Sequence, residues 1–196
     1  SEGYAIDVTI PIEAGPQTIV SAVKFEGDIP FDEKKLLKEI KLKGEKPFNE
    51  PGLVEDKDRL IRYFADNGYP YASIEASWTP AMHGDGAIII FSVFPDDLVT
   101  IGNTLIVGDV LTSQKAIKSA MRLREGDVFS YRKIIESQLN IRRLGPFSSV
   151  SVTSIGLEDH AKVIHLRIKV EEQRPFKIDM GLNYSTDENF TGSLAF

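Results

Sequence analysis

Apolar residues recur along this chain in two rhythms, and the order in which the rhythms alternate is played twice. Residues 18–25 set Ile19, Ser21, Val23 and Phe25 against polar partners, the period-two pattern of a half-buried strand, and Gly27 closes it. Residues 32–40 place acids ahead of Leu36, Leu37 and Ile40, as the first turn and the buried face of an amphipathic helix require. A second helix is predicted from Asn49, with Pro51 tolerated in its first turn, Leu53, Leu60, Ile61 and Phe64 on its stripe, and Asn67 and Gly68 as its stop. Residues 72–79 then read as a strand with Ile74, Ala76 and Trp78 on one face and Ser73, Glu75 and Ser77 on the other. A turn at 83–86 leads into a last strand at 87–94.

The second playing starts with Gly102 to Asp109 and maps Phe25 onto Ile106 and Gly27 onto Gly108, an offset of 81. Ile40 and Met121, Leu42 and Leu123, and Phe48 and Phe129 keep that offset, whereas Gly68 and Gly145, and Val93 and Val170, are 77 apart. The first copy therefore holds four more residues between Phe48 and Gly68, about one helical turn. In the second copy Thr112 is expected to cap a helix that buries Ala116, Ile117, Ala120 and Met121. Another helix starts at Ser130 and stops at Gly145. Its following strand, 148–155, turns Val150 and Val152 one way and Ser149, Ser151 and Thr153 the other, and 162–171 is the last strand. A hairpin that follows two helices packs most simply as a small mixed sheet covered on one face by the helix pair. The fold class is α+β in tandem, as β-α-α-β-β modules at 17–95 and 96–173.

Both ends depart from this scheme. Residues 12–16 align with 93–97, so 1–16 is expected to hold the last strand of a preceding module. At the other end Ile178, Met180, Leu182 and Tyr184 alternate with Lys177, Asp179, Gly181 and Asn183, a polar turn follows at 185–189, and Phe190, Leu194 and Phe196 alternate again. Such alternation suits a strand hairpin of a transmembrane β-barrel and equally an ordinary water-soluble hairpin.

Composition narrows the function classes. The chain has 196 residues, 42% hydrophobic, with a net charge of −6, and its basic residues are interspersed with acids rather than clustered for phosphate binding. Nucleic acid is therefore not an expected partner. There is no cysteine, which removes disulfides and thiolate chemistry. No apolar run approaches the roughly 18 residues of a membrane helix.

The strand-helix-helix-strand-strand order, Gly27 and Gly108 after the first strands, and residues 67–74 and 144–150 opening the fourth element resemble the POTRA (polypeptide-transport-associated) domain. Residues 181–187 look like the first barrel hairpin of the BamA/TamA family of outer-membrane assembly factors, which assigns 174–196 to the start of a barrel. The resemblance implies an outer-membrane protein whose segment here is a periplasmic arm. It implies assembly of outer-membrane proteins or translocation of polypeptides, with unfolded outer-membrane or secreted polypeptides as clients and partner lipoproteins or an inner-membrane partner. It also implies that the strand after the helices is a sheet edge, free to pair with an extended client. Ser73, Glu75, Ser77, Ser149, Ser151 and Thr153 mark these expected docking edges, and proline at Glu75 or Ser151 is expected to weaken binding without unfolding a module. Arg174, Pro175 and Phe176 are the expected joint to the barrel, stiffened by proline, with a flexible hinge as the alternative. Related proteins use such a device to export a fused patatin-like hydrolase, and others anchor a POTRA scaffold by a membrane helix.

Candidate chemistry is sparse. His83 and His160 fall in turns and His165 on a strand, at spacings that match no common metal motif. Glu50, Glu55, Asp56 and Asp58 sit on early helical turns, where acids are expected. Arg142 and Arg143 complement a helix C-terminus, and Trp78 is expected in the core rather than as an exposed anchor. No catalytic residue, metal site or cofactor site is expected.

Overall fold

The computed structural model describes residues 17–82, 86–108, 112–145, 147–173, 179–183 and 191–195. The chain divides into two compact units, Ser1–Leu98 and Val99–Phe196.

In the first unit β1 (Ile19–Gly27) leads to α1 (Glu33–Glu39), α2 (Glu50–Asp66), β2 (Ser73–Pro80) and β3 (Gly86–Phe94). The helices start where side chains can accept from open backbone N–H groups: Asp32 from Lys34 at 2.9 Å and Asn49 from Gly52 at 2.7 Å. The sheet order is β1-β3-β2, with β1 parallel and β2 antiparallel to the central β3. Leu36, Leu60 and Phe64 from the helices meet Val20, Ile74, Ile89, Phe91 and Val93 from the sheet in one buried core. Each such fully buried side chain contributes about 1.5–3 kcal/mol.

The second unit repeats this with β4 (Thr100–Val107), α3 (Gln114–Ala120), α4 (Tyr131–Arg142), β5 (Phe147–Ile155) and β6 (Val163–Glu172), in sheet order β4-β6-β5. Its core gathers Ile117, Ile141, Phe147, Val150, Ile168 and Val170. Ser113, not Thr112, caps α3, accepting from Ala116 N–H at 3.2 Å. Thr112 instead donates its hydroxyl to Glu172 at 2.6 Å, since it lies one residue too early for the cap.

The repeat offsets acquire a structural cause. Leu53 and Ile134, and Asp56 and Ser137, are buried pairs 81 apart, whereas Phe64 and Ile141 are 77 apart. The extra turn therefore lies within α2, past Asp56. Asp56 is fully buried and its carboxylate accepts from Lys41 N–H at 2.8 Å and Leu42 N–H at 2.7 Å, tying the end of α1 to α2. Ser137 does the same in the second module, accepting from Arg122 N–H at 2.8 Å.

Two conserved geometries of the repeat are visible in the backbone. Gly27 (φ 110°) and Gly108 (φ 134°) end their strands in conformations that side chains rarely adopt, and a Cβ there would collide with the carbonyls of Val93 and Val170. Both first strands also shift register near their start, between Val20 and Ala22 and between Ile101 and Thr104. That bulge corrects the simple alternation expected for residues 18–25. Val20, Val23 and Phe25 face the helices, while Ile19 is 36% exposed.

β7 (Asp179–Asn183) and β8 (Thr191–Ala195) pair antiparallel, Met180 opposite Leu194 and Leu182 opposite Gly192. Residues 1–16, expected to end a preceding module, and the expected joint at Arg174, Pro175 and Phe176 lie outside the described residues.

Candidate functional site

The sheet orders leave β2 and β5 at edges, so these strands pair on one side only. Which residues of an edge strand offer backbone groups outward follows from chain geometry. In an L-chain the face a side chain takes and the lateral direction of its own N–H and C=O are coupled, and both alternate with period two. Val150 fixes the phase: its side chain is buried against the helices and its carbonyl accepts from Gln138 Nε2 on α4 at 2.8 Å, on the side away from β6. On the opposite type of edge Val20 obeys the same rule, with its side chain buried, its N–H donating to Lys46 C=O at 2.8 Å and its C=O accepting from Glu45 at 3.0 Å.

Ile74, Ala76 and Trp78 in β2, and Val150, Val152 and Ser154 in β5, therefore present the outward N–H and C=O groups. Ser73, Glu75, Ser77, Ser149, Ser151 and Thr153 pair their backbones with the central strands, and their side chains stand on the sheet face away from the helices. The residues marked from sequence lie on the two edge strands but do not carry the open bonding groups. Proline at Glu75 or Ser151 would remove a donor directed at β3 or β6, so those substitutions would disturb the sheet itself, contrary to the expectation from sequence.

The remaining edges are partly closed. The connection between α1 and α2 runs along the start of β1, where Phe48 N–H donates to Thr18 C=O at 2.8 Å. Its counterpart in the second module does the same, Phe129 N–H donating to Val99 C=O at 3.0 Å. Among the described residues, no loop or side chain bonds the outer backbone of β2. β5 is blunted at its start by a register shift between Phe147 and Ser149, and Gln138 occupies the Val150 carbonyl.

The modules also differ in their helix-free sheet faces. In the first, the central strand presents half-buried Ile88, Ile90 and Ser92; in the second, exposed His165, Arg167, Lys169 and Glu171. Lys169 lies 2.7 Å from Glu171, whose hydrogen bond and charge hold the ammonium above its ordinary pKa. His165 packs over Gly102, and its Nδ1 accepts from Asn103 N–H at 3.0 Å, which gives it a structural place. His160 sits in a turn with φ 52°, and His83 lies outside the described residues. Among the described residues no three metal-binding side chains converge.

Two features differ from the sequence expectation. Asp56, expected as one of the acids of the early helical turns, interrupts the apolar stripe between Leu53 and Leu60 and is buried, and that position on the stripe is the signal of a buried carboxylate. Trp78, expected in the core, is 38% exposed and rests on Phe48 with ring centres 4.8 Å apart.

Comparison with known proteins matches this architecture. The POTRA family profile, described as surface antigen variable number repeat, matches residues 18–95 and 99–173. The chain is 26% identical over 193 residues to the outer membrane protein assembly factor BamA of Nitratidesulfovibrio vulgaris, covering 96% of this chain and 24% of that protein. It is 26% identical over 136 residues to a putative outer membrane protein assembly factor of Treponema pallidum, covering 64% of this chain and 16% of that protein. The chain thus spans about a quarter or less of the curated relatives it matches. Among solved structures, BamA from Haemophilus ducreyi lacking POTRA domains 1–3 superposes with a TM-score of 0.64 at 15% identity, covering 90% of this chain and 33% of that one. The third to fifth POTRA domains of Haemophilus influenzae BamA superpose with a TM-score of 0.57 at 16% identity, covering 81% and 63%. Two β-α-α-β-β modules, each matched along nearly its whole length, make this chain a member of the POTRA family.

Proposed function

We propose that this chain is the periplasmic arm of an outer-membrane assembly or polypeptide-translocation factor, and that it docks extended clients or partner proteins by adding them as a further strand to β2 or β5. The observation that carries the proposal is the outward row of backbone groups on Ile74, Ala76 and Trp78, which nothing else in the described structure bonds. Backbone pairing is tolerant of sequence, which suits a protein that handles many unfolded polypeptides. The assembly-factor relatives support the class of machine, and the pairing of β7 with β8 supports 174–196 as the first hairpin of its barrel. In this reading Arg174, Pro175 and Phe176 form the joint between arm and barrel. The clients are unfolded outer-membrane or secreted polypeptides, and lipoproteins or an inner-membrane protein are the folded partners.

The test exploits the phase of the strands. Ala76→Pro removes an outward donor and leaves the ladder to β3 intact, whereas Glu75→Pro removes a donor directed at β3. Peptide binding at the β2 edge should fall at least tenfold in Ala76→Pro with the module still folded, while Glu75→Pro should lower the unfolding midpoint. Unchanged binding in Ala76→Pro and in its β5 counterpart Val152→Pro would refute edge docking.

A further inference from the structure

The carboxyl ends of α3 and α4 meet around a cleft that holds two arginines and no acid. Ser119, Met121 and Arg122 line it from the end of α3, and Asn140, Arg143 and Leu144 from the end of α4, around an open volume of about 360 Å³. Local bonds fix this frame. Arg122 N–H donates to Ser137 Oγ at 2.8 Å, Arg143 N–H to the Asn140 carbonyl at 3.1 Å, and Asn140 Nδ2 to the Ala120 carbonyl at 3.2 Å. Among the described residues no carboxylate pairs with either guanidinium. The two arginines stand 21 apart in sequence, so it is the fold that brings this basic pair together. At the repeat offsets the first module sets Lys38 for Ser119, Glu39 for Ala120, Lys41 for Arg122 and Asp66 for Arg143. There acids match cations in number, and Lys41 lies 3.9 Å from Glu55. The second module keeps positive charge at this place without the acids, in a chain whose net charge is −6.

From these observations we infer that the cleft between the ends of α3 and α4 is a binding site for a phosphate group, carried by a phospholipid headgroup or by a soluble phosphate ester. The inference uses no part of β2 or β5, so it stands or falls apart from edge docking.

Donor geometry selects the ligand. A guanidinium presents its N–H groups as a planar fork that matches two oxygens at once. A carboxylate is filled by one such fork, whereas a phosphate has oxygens enough to engage two. Asn140 holds a second Nδ2 hydrogen besides the one bonded to Ala120, a further donor beside the arginines. The carbonyls at these helix ends have partners of their own: Met121 N–H donates to Lys118, Asn140 Nδ2 to Ala120 and Leu144 N–H to Ile141. In the first module, by contrast, the ammonium of Lys43 is spent on the Leu37 carbonyl at the end of α1, at 2.7 Å. Two cations in one cleft repel each other, and a bound anion removes that cost. Leu144, 44% exposed beside Arg143, offers an apolar surface to the ester part of the ligand.

The test follows the amide resonances of the 196-residue chain at fixed ionic strength during titration with inorganic phosphate and with glycerol phosphate. Flotation with phosphatidylglycerol vesicles, against phosphatidylcholine vesicles, forms the lipid arm. Both soluble probes should give saturable shifts at residues 119–122 and 140–144. Arg122→Gln and Arg143→Asp, the latter copying Asp66, should each weaken binding about tenfold or more with the rest of the amide spectrum unchanged. Arg122→Lys, which keeps the charge and loses the fork, should fall between, and Arg142→Gln, outside the cleft, should stay within about twofold of the parent. Flotation with phosphatidylglycerol that both cleft substitutions abolish would make a lipid headgroup the source of the phosphate. Saturable soluble binding without flotation would make it a soluble ester, and either result supports the site. No saturable shift with either soluble probe, or binding within about twofold of the parent in both Arg122→Gln and Arg143→Asp, overturns the inference. Displacement of glycerol phosphate by an equal concentration of an acidic Glu-Ser peptide would make a protein segment the occupant and would also overturn it. Ala76→Pro should leave phosphate binding unchanged, so failure here leaves edge docking standing.

Discussion

Asp56→Ala isolates one carboxylate that joins α1 to α2. In the native chain this side chain is fully buried and accepts two backbone N–H groups, from Lys41 and Leu42, and the Arg59 guanidinium at 2.8 Å. Removing it leaves one buried and one part-buried donor without partners and takes a partner from a cation whose side chain is 24% exposed. Bonds to a charged acceptor contribute ~1.5–3 kcal/mol each, and water reaching the Arg59 side offsets part of the loss, so the net cost is about 3 kcal/mol. With a urea slope near 1 kcal/mol/M for so small a module, the midpoint should fall by roughly 2–3 M. The chain has one tryptophan, Trp78, and it lies in the first module, so its fluorescence follows that module alone. Asp56→Ser, which copies Ser137, should keep one acceptor and lose about half as much. A fall below roughly 0.5 M for Asp56→Ala would refute the assignment of this carboxylate as the tie between the helices.

Other outcomes follow from the same structure. Gly27→Ala and Gly108→Ala should each cost about 3 kcal/mol or more, because positive φ and a collision with a strand carbonyl combine, and each should unfold its own module in urea before the other. Glu45 (φ 57°) occupies the repeat position of Gly126 (φ 86°), so Glu45→Gly should raise the melting midpoint of the first module, by about 0.5–1 kcal/mol. Burial, with Glu39 second, raises the Tyr63 hydroxyl above its ordinary value of 10.0. Since the folded chain then holds this proton more tightly than the unfolded one, stability is full below pH 10 and declines as pH rises above it; alkaline melts of Tyr63→Phe should lack this share of the decline.

Most of the fold is legible in the sequence because periodicity reports local burial. Asn49 and Ser130 mark helix starts since their side chains cap them, and Gly27 and Gly108 mark strand ends since no other residue fits there. Even the slip of the repeat from 81 to 77 has its counterpart in one added turn of α2. What periodicity misses depends on the partner. The bulge after Val20 exchanges the faces of β1, and only the register with β3 reveals it. Trp78 continues the apolar alternation of β2, yet it stays 38% exposed and packs on Phe48 from the connection between α1 and α2. The edge strands were identifiable by order, but the outward direction of their backbone groups depends on which face the helices cover.

The central claim, docking by strand addition at a defined phase, is tested most directly by residue-resolved amide hydrogen exchange of this chain with and without an extended nine-residue peptide that alternates Phe and Thr. In the free chain the outward amides of Ala76, Val152 and Ser154 should exchange rapidly, and those of Glu75, Ser151 and Thr153 slowly. Added peptide should slow Ala76, or Val152 and Ser154, at least tenfold and leave Glu75, Ser151 and Thr153 unchanged. Protection confined to Glu75, Ser151 and Thr153, or no change at either edge at saturating peptide, would contradict it.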